Sequence, residues 1–156
     1  MINRTKGDTE GAGLRIGIVR SRWNAEITEA LLDGALRALA ACSVREEDIV
    51  VMEVPGALEI PLAAQELATH GFDAIIAVGC VMKGDTAHFD HVGRIANDGI
   101  AQVARDYELP VTCSILTTYD LDQARARSGL DEANVGSQAA LTAIETANLL
   151  RFLRSK

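Results

Sequence analysis

The run Ala74-Ile75-Ile76-Ala77-Val78-Gly79-Cys80-Val81 constrains this chain more than any other stretch. It is apolar throughout, not at alternate positions. Both faces of a strand built from it must therefore be covered. Its β-branched residues favour extended backbone. Such a strand belongs inside a parallel sheet with helices on each side.

The rest of the chain supplies those helices. Leu14 to Arg20 predicts a first strand, and Asn24 stands as the N-cap of a helix running to about Ala41. Ile27, Leu31, Ala35 and Ala38 recur on one face of that helix. A strand over Asp48 to Val54 and a helix over Ala57 to Thr69 come next. The central strand then spans Phe72 to Val81. A long helix follows from about His88 to Tyr107, then a strand over Pro110 to Leu116. A short helix from Asp120 to Arg127 is broken by Ser128-Gly129, and the last helix runs from about Asn134 to Arg154. Alternating strands and helices imply right-handed crossovers and a parallel sheet. The expected fold is an α/β three-layer α/β/α sandwich with a central four-stranded parallel sheet. Residues 14–156 form one domain, and the polar, Gly-rich residues 1–13 form an N-terminal arm.

Composition narrows the function classes. Of 156 residues, 48% are hydrophobic and 24% charged, and the net charge is −7. An acidic chain with no basic patch argues against a nucleic-acid or anionic-membrane partner. The longest apolar stretch, Ala74 to Met82, is far short of the roughly 20 residues that span a bilayer. With no apolar signal core in residues 1–13, the expected compartment is the cytoplasm. Cys42, Cys80 and Cys113 show neither a disulfide framework nor metal-knuckle spacing.

In parallel α/β sheets ligands bind beyond the carboxyl ends of the strands. That rule selects four loops: Ser21–Asn24, Pro55–Glu59, Met82–His88 and Thr117–Tyr119. The first holds Trp23, the only tryptophan, which is either a rim aromatic or a stacking surface for a planar heterocycle. The second contains Pro55-Gly56, a tight-turn signal in which Gly56 permits positive φ. It is either a plain strand-to-helix turn or a place where the amides of Gly56 and Ala57 meet ligand hydroxyls. The third reads Gly79-x4-Gly84-Asp85-Thr86, with Asp85 where a nucleotide-binding P-loop needs lysine. An amide cradle for a single phosphate survives at the helix start. His88, Asp90 and His91 resemble a metal set only weakly. His88 fits general acid–base work better, because an unperturbed imidazole titrates near roughly 6.5. Arg127 is either a solvated charge or a bidentate phosphate ligand.

Five local patterns, in order, carry a family resemblance. They are Arg22-Trp23-Asn24, Val54-Pro55-Gly56-Ala57-Leu58-Glu59-Ile60-Pro61 and Gly84-Asp85-Thr86-Ala87-His88-Phe89-Asp90. Leu116-Thr117-Thr118 with Gln123-Ala124-x-x-Arg127 follows, and then Asn134-x-Gly136 with Ala139-Ala140 and Ala143-Ile144-Glu145. From about Leu14 to Leu153 the chain resembles the 6,7-dimethyl-8-ribityllumazine synthase family of riboflavin biosynthesis. The resemblance implies condensation of 5-amino-6-(D-ribitylamino)uracil with 3,4-dihydroxy-2-butanone 4-phosphate, without metal or organic cofactor. It implies that His88 moves protons and that Trp23 stacks on the pyrimidine. Gly56, Ala57, Leu58 and Glu59 would hold the ribityl chain, with Val81 and Met82 bordering the ring. Gly84, Asp85, Thr86 and Arg127 would bind phosphate. It further implies a homopentamer or a multiple of one, with the site shared between adjacent subunits. Cys113, Ser114 and Arg127 would then come from the neighbour, and the N-terminal arm would pair with a neighbouring sheet. This chain departs from the family pattern at Cys113, where an aromatic is frequent, and at Asp131 and Val135, where lysines are frequent. Gln138 replaces a usual acid.

Overall fold

A computed structural model describes residues 1–156. Four strands form one parallel sheet in the order β2-β1-β3-β4. They are β1 (Ile16–Ser21), β2 (Ile49–Val54), β3 (Ala74–Met82) and β4 (Val111–Thr118). The helices are α1 (Ala25–Ala41), α2 (Ile60–Ala68), α3 (His88–Tyr107), α4 (Leu121–Ala126) and α5 (Val135–Arg154). This is the expected three-layer α/β architecture.

The apolar run behaves as its composition requires. Ala74, Ile76, Val78 and Cys80 of β3 pack into a cluster shared with α1 and α5. Ile75, Ala77 and Val81 point the other way, into a cluster shared with α2 and α3. Successive side chains of a strand alternate faces, so one continuous apolar run serves two cores. Every residue of β3 except Met82 is buried. β2 is an edge strand, and Val51, Met52 and Glu53 are exposed on it.

The layer of α1 and α5 is held by close backbone approach. A Cβ on Gly136 would collide with the Leu31 carbonyl, and one on Gly34 with the Asn134 side chain. Asn134 is fully buried. Its Nδ2 donates to the carbonyls of Ala30 (3.1 Å) and Gly129 (2.7 Å), while its Oδ1 accepts from the Ser137 amide (3.0 Å). It therefore caps α5, where the sequence places a first helical residue, and also ties α5 to α1 and to the turn after α4.

Other boundaries shift by one to three residues, mainly where short-range geometry intervenes. A 3₁₀ turn over Glu46–Asp48 precedes β2, and another over Ala57–Glu59 precedes α2. Thr117 and Thr118 extend β4 because they stay in register with Val81 and Met82. The arm makes no strand within its own chain. Gly7 and Gly11 are buried, Asn148 Nδ2 donates to the carbonyls of Asp8 (3.1 Å) and Glu10 (2.9 Å), and the Gly11 amide donates to Cys42 O (2.7 Å).

Candidate active site

Because all four strands are parallel, their carboxyl ends Ser21, Val54, Met82 and Thr118 lie along one edge. A cavity of about 600 Å³ opens there. Its floor is Cys80, Val81 and Met82 at the end of β3. One wall is Trp23 and Asn24 after β1, together with Pro55 to Glu59 after β2. The opposite wall is Gly84, Thr86 and the first turns of α3, with His88, Phe89 and Val92 facing inward. Trp23 is 74% exposed and Leu58 42%, so this side of the cavity stands open.

The second loop is built differently from its sequence expectation. Gly56 is extended, with φ −142°, so no left-handed backbone is needed. The Glu59 carboxylate instead folds back and accepts from the Gly56 amide through Oε2 at 2.9 Å. A Cβ at residue 56 would sit 3.1 Å from that same oxygen, so the Glu59 carboxylate would have to shift by a few tenths of an ångström to admit a side chain. Glu59 thus closes half of a capping box and keeps Oε1 for the cavity. The next amides, of Ala57 and Leu58, make no bond within the chain. They stand at the start of a helix, where unpaired donors seek an acceptor.

The third loop is exposed from Lys83 to His88. The Thr86 hydroxyl oxygen accepts from the His88 amide at 3.3 Å, tightening the turn into α3. The His88 side chain is exposed at the first helical position. Asp85 is exposed too and does not line the cavity, leaving its carboxylate outside. No three His, Cys, Asp or Glu side chains gather as a metal-holding group. Cys80, at the floor, is 2% exposed, and burial pushes its thiol up to about 11.

Three of the predicted residues lie elsewhere. Arg127 is exposed at the end of α4, where its Nη1 donates to Gln123 O at 3.0 Å. Cys113 is exposed on β4, its Sγ donating to Asn97 Oδ1 at 3.0 Å, and burial of the thiol's surroundings raises its pKa. Ser114 is fully buried on the opposite face, and its Oγ has no partner. The fourth loop is also separate. Thr117 and Tyr119 line a second cavity of about 310 Å³, beyond Phe89. One chain therefore assembles the Trp23, Glu59 and His88 group but not the Arg127 side.

The 6,7-dimethyl-8-ribityllumazine synthase family model matches residues 13–151. The chain belongs to this family. Lumazine synthesis within riboflavin biosynthesis is accordingly its functional setting. No helix is long and apolar enough to cross a membrane.

At two departures from the family's lysine-rich pattern, the local structure of this lumazine synthase family member is self-consistent. Val135 is half-buried against the α1 and α5 core, and its amide donates to Arg127 O at 2.9 Å. Gln138 Nε2 donates to Glu132 O at 3.0 Å. A neutral amide thus does locally what an acid could not, because a carboxylate cannot donate.

Two residues gained roles that sequence reasoning missed. Phe89 lines both cavities and packs 6.0 Å from the Tyr119 ring. Its place one residue after the candidate histidine was the available signal. Asn24 holds the N-cap position of α1, yet its side chain makes no capping bond. Its Nδ2 donates instead to Cys80 O, at 2.8 Å.

Proposed function

We propose that this protein condenses 5-amino-6-(D-ribitylamino)uracil with 3,4-dihydroxy-2-butanone 4-phosphate. The products are 6,7-dimethyl-8-ribityllumazine, phosphate and water. The observation that carries the proposal is the meeting of Trp23, the unpaired Ala57 and Leu58 amides, Glu59, Thr86 and His88 around one cavity in a member of this family.

The Trp23 face stacks on the pyrimidine ring, and Val81 and Met82 border it. Ribityl hydroxyls donate to Glu59 Oε1 and accept from the Ala57 and Leu58 amides. The ketone phosphate sits at the start of α3, where the Gly84 to Thr86 backbone and the helix dipole favour an anion. The 5-amino group attacks the ketone carbonyl, and loss of water gives a Schiff base. Elimination then expels phosphate, and the ribitylamino nitrogen closes the ring on the remaining carbonyl with loss of a second water. Each step moves protons between nitrogen, carbon and oxygen. His88 carries them, contributing about 10²–10⁴-fold, while orientation of the two substrates supplies much of the remainder. No metal or organic cofactor enters any step.

Arg127 completes phosphate binding from an adjacent subunit, with the exposed Cys113 of that subunit closing the ring site, while the Ser114 side chain is turned into its own core. Such sharing requires an oligomer, which we take to be a homopentamer or a multiple of one, in which the arm pairs with the exposed β2 edge of a neighbour. The enzyme works in the cytoplasm.

The test mixes both substrates with the protein and follows lumazine absorbance and phosphate release. Turnover well above the uncatalysed condensation is expected. Tight flavin or lumazine binding with no acceleration would replace the enzyme with a binding assembly of the same fold.

A further inference from the structure

We infer that Asn24 is a positioning residue that holds Trp23 at the mouth of the cavity by standing in for a missing rung of the sheet. Within β1 the pairing to both neighbours is regular up to Arg20 and Ser21. Beyond it the chain leans towards β2. The Arg22 amide donates to Val54 O at 2.8 Å, and the Trp23 amide to Pro55 O at 3.2 Å. With both of these amides turned towards β2, no β1 backbone donor beyond Ser21 serves the end of β3, where Cys80 is 2% exposed. A buried carbonyl needs a donor. Asn24 Nδ2 supplies it at 2.8 Å.

The backbone of Asn24 is shaped for this task. Its φ and ψ of 58° and 51° lie in the left-handed region, which asparagine tolerates better than most residues. That turn reverses the chain from β1 into α1 and leaves its side chain free to reach β3. The N-terminus of α1 is left without a side-chain cap as a result. The bond therefore links the first loop to the cavity floor, across the sheet, directly next to Trp23. Trp23 itself is 74% exposed, with little of the chain packed around its ring. Its orientation depends on the backbone on either side, pinned to β2 before it and to β3 after it.

This inference rests on the proposed stacking of Trp23 on the pyrimidine, but its first readout does not. Trp23 is the only tryptophan, so intrinsic fluorescence reports on it alone. Asn24→Gly accepts the left-handed backbone freely and removes only the clamp. Asn24→Asp keeps the shape but sets a carboxylate oxygen against the Cys80 carbonyl. In both variants tryptophan anisotropy should fall and acrylamide quenching should rise, measured without substrate. The dissociation constant for the pyrimidine, followed by Trp23 quenching, should rise about three- to tenfold, the worth of one net hydrogen bond. Its KM should rise in parallel, while the KM for the phosphorylated ketone stays near the parent value. Anisotropy unchanged in a folded Asn24→Gly protein would overturn the inference. A lower melting temperature with unchanged anisotropy and pyrimidine affinity would do the same, leaving Asn24 a structural residue only. If the parent protein shows no turnover, the functional proposal fails while anisotropy still decides the clamp.

Discussion

Replacing Asn134 by alanine should disturb stability and the phosphate half of the site together. The side chain is fully buried and makes three hydrogen bonds, to Ala30 O, Gly129 O and the Ser137 amide. Loss of the cap on α5 costs about 1 kcal/mol. Loss of each buried side-chain-to-carbonyl bond costs about 1 kcal/mol more. The sum of about 3 kcal/mol corresponds to a fall in melting temperature of about 6–12 °C for a chain of this size. The measurement is a calorimetric or circular-dichroism melt at fixed protein concentration, because the proposed assembly would make the midpoint concentration-dependent. The effect should also reach Arg127. Gly129 O and the Val135–Arg127 backbone bond belong to the same turn, so loosening it frees the α4 end that carries the guanidinium. KM for the phosphorylated ketone should rise more than KM for the pyrimidine. Asn134→Asp retains an acceptor for Ser137 but loses both donors, so it should not recover parent stability. A melting temperature for Asn134→Ala within about 2 °C of the parent, less than one such bond is worth, would refute the reasoning.

His88→Ala should lower the rate by at most about four powers of ten while leaving pyrimidine binding intact. A parent-like rate in steady-state assays would remove the imidazole from the proton transfers. Arg127→Ala should weaken the phosphorylated substrate selectively, and equal losses for both substrates would count against a phosphate role. Cys80 makes a prediction with a definite sign. Its folded pKa is raised from 9.0 to about 11, so it contributes stability below pH 9 that is lost as pH climbs towards 11. Cys80→Ala should flatten that alkaline loss in melting curves, and a parent-like slope would refute the burial effect.

Much of the fold could be read from the residues because its signals are local. The uninterrupted apolar run of β3 and the helical stripes each depend on neighbours a few positions away. Three of the four loops that the strand-end rule selected share one cavity, with Trp23, Glu59 and His88 on it, while the fourth lines another. Gly56 shows the limit of such reasoning. Its type suggested positive φ, but its backbone is extended and its closest constraint is the Glu59 carboxylate lying over its amide. Asn24 shows another limit. Cap position was legible, but whether its amide bonds its own helix or the end of β3 depends on how β1 leaves the sheet.

The amino-acid order alone settles the parallel three-layer sheet and the edge at which ligands meet it. Strand period, helix period and crossover handedness are properties of short segments and of L-residues. Only the tertiary structure divides Phe89 between two cavities and turns Asn24 towards Cys80. Those outcomes hang on contacts between residues far apart in sequence. A pattern along the chain carries the type of each group but not the direction in which the packed fold points it.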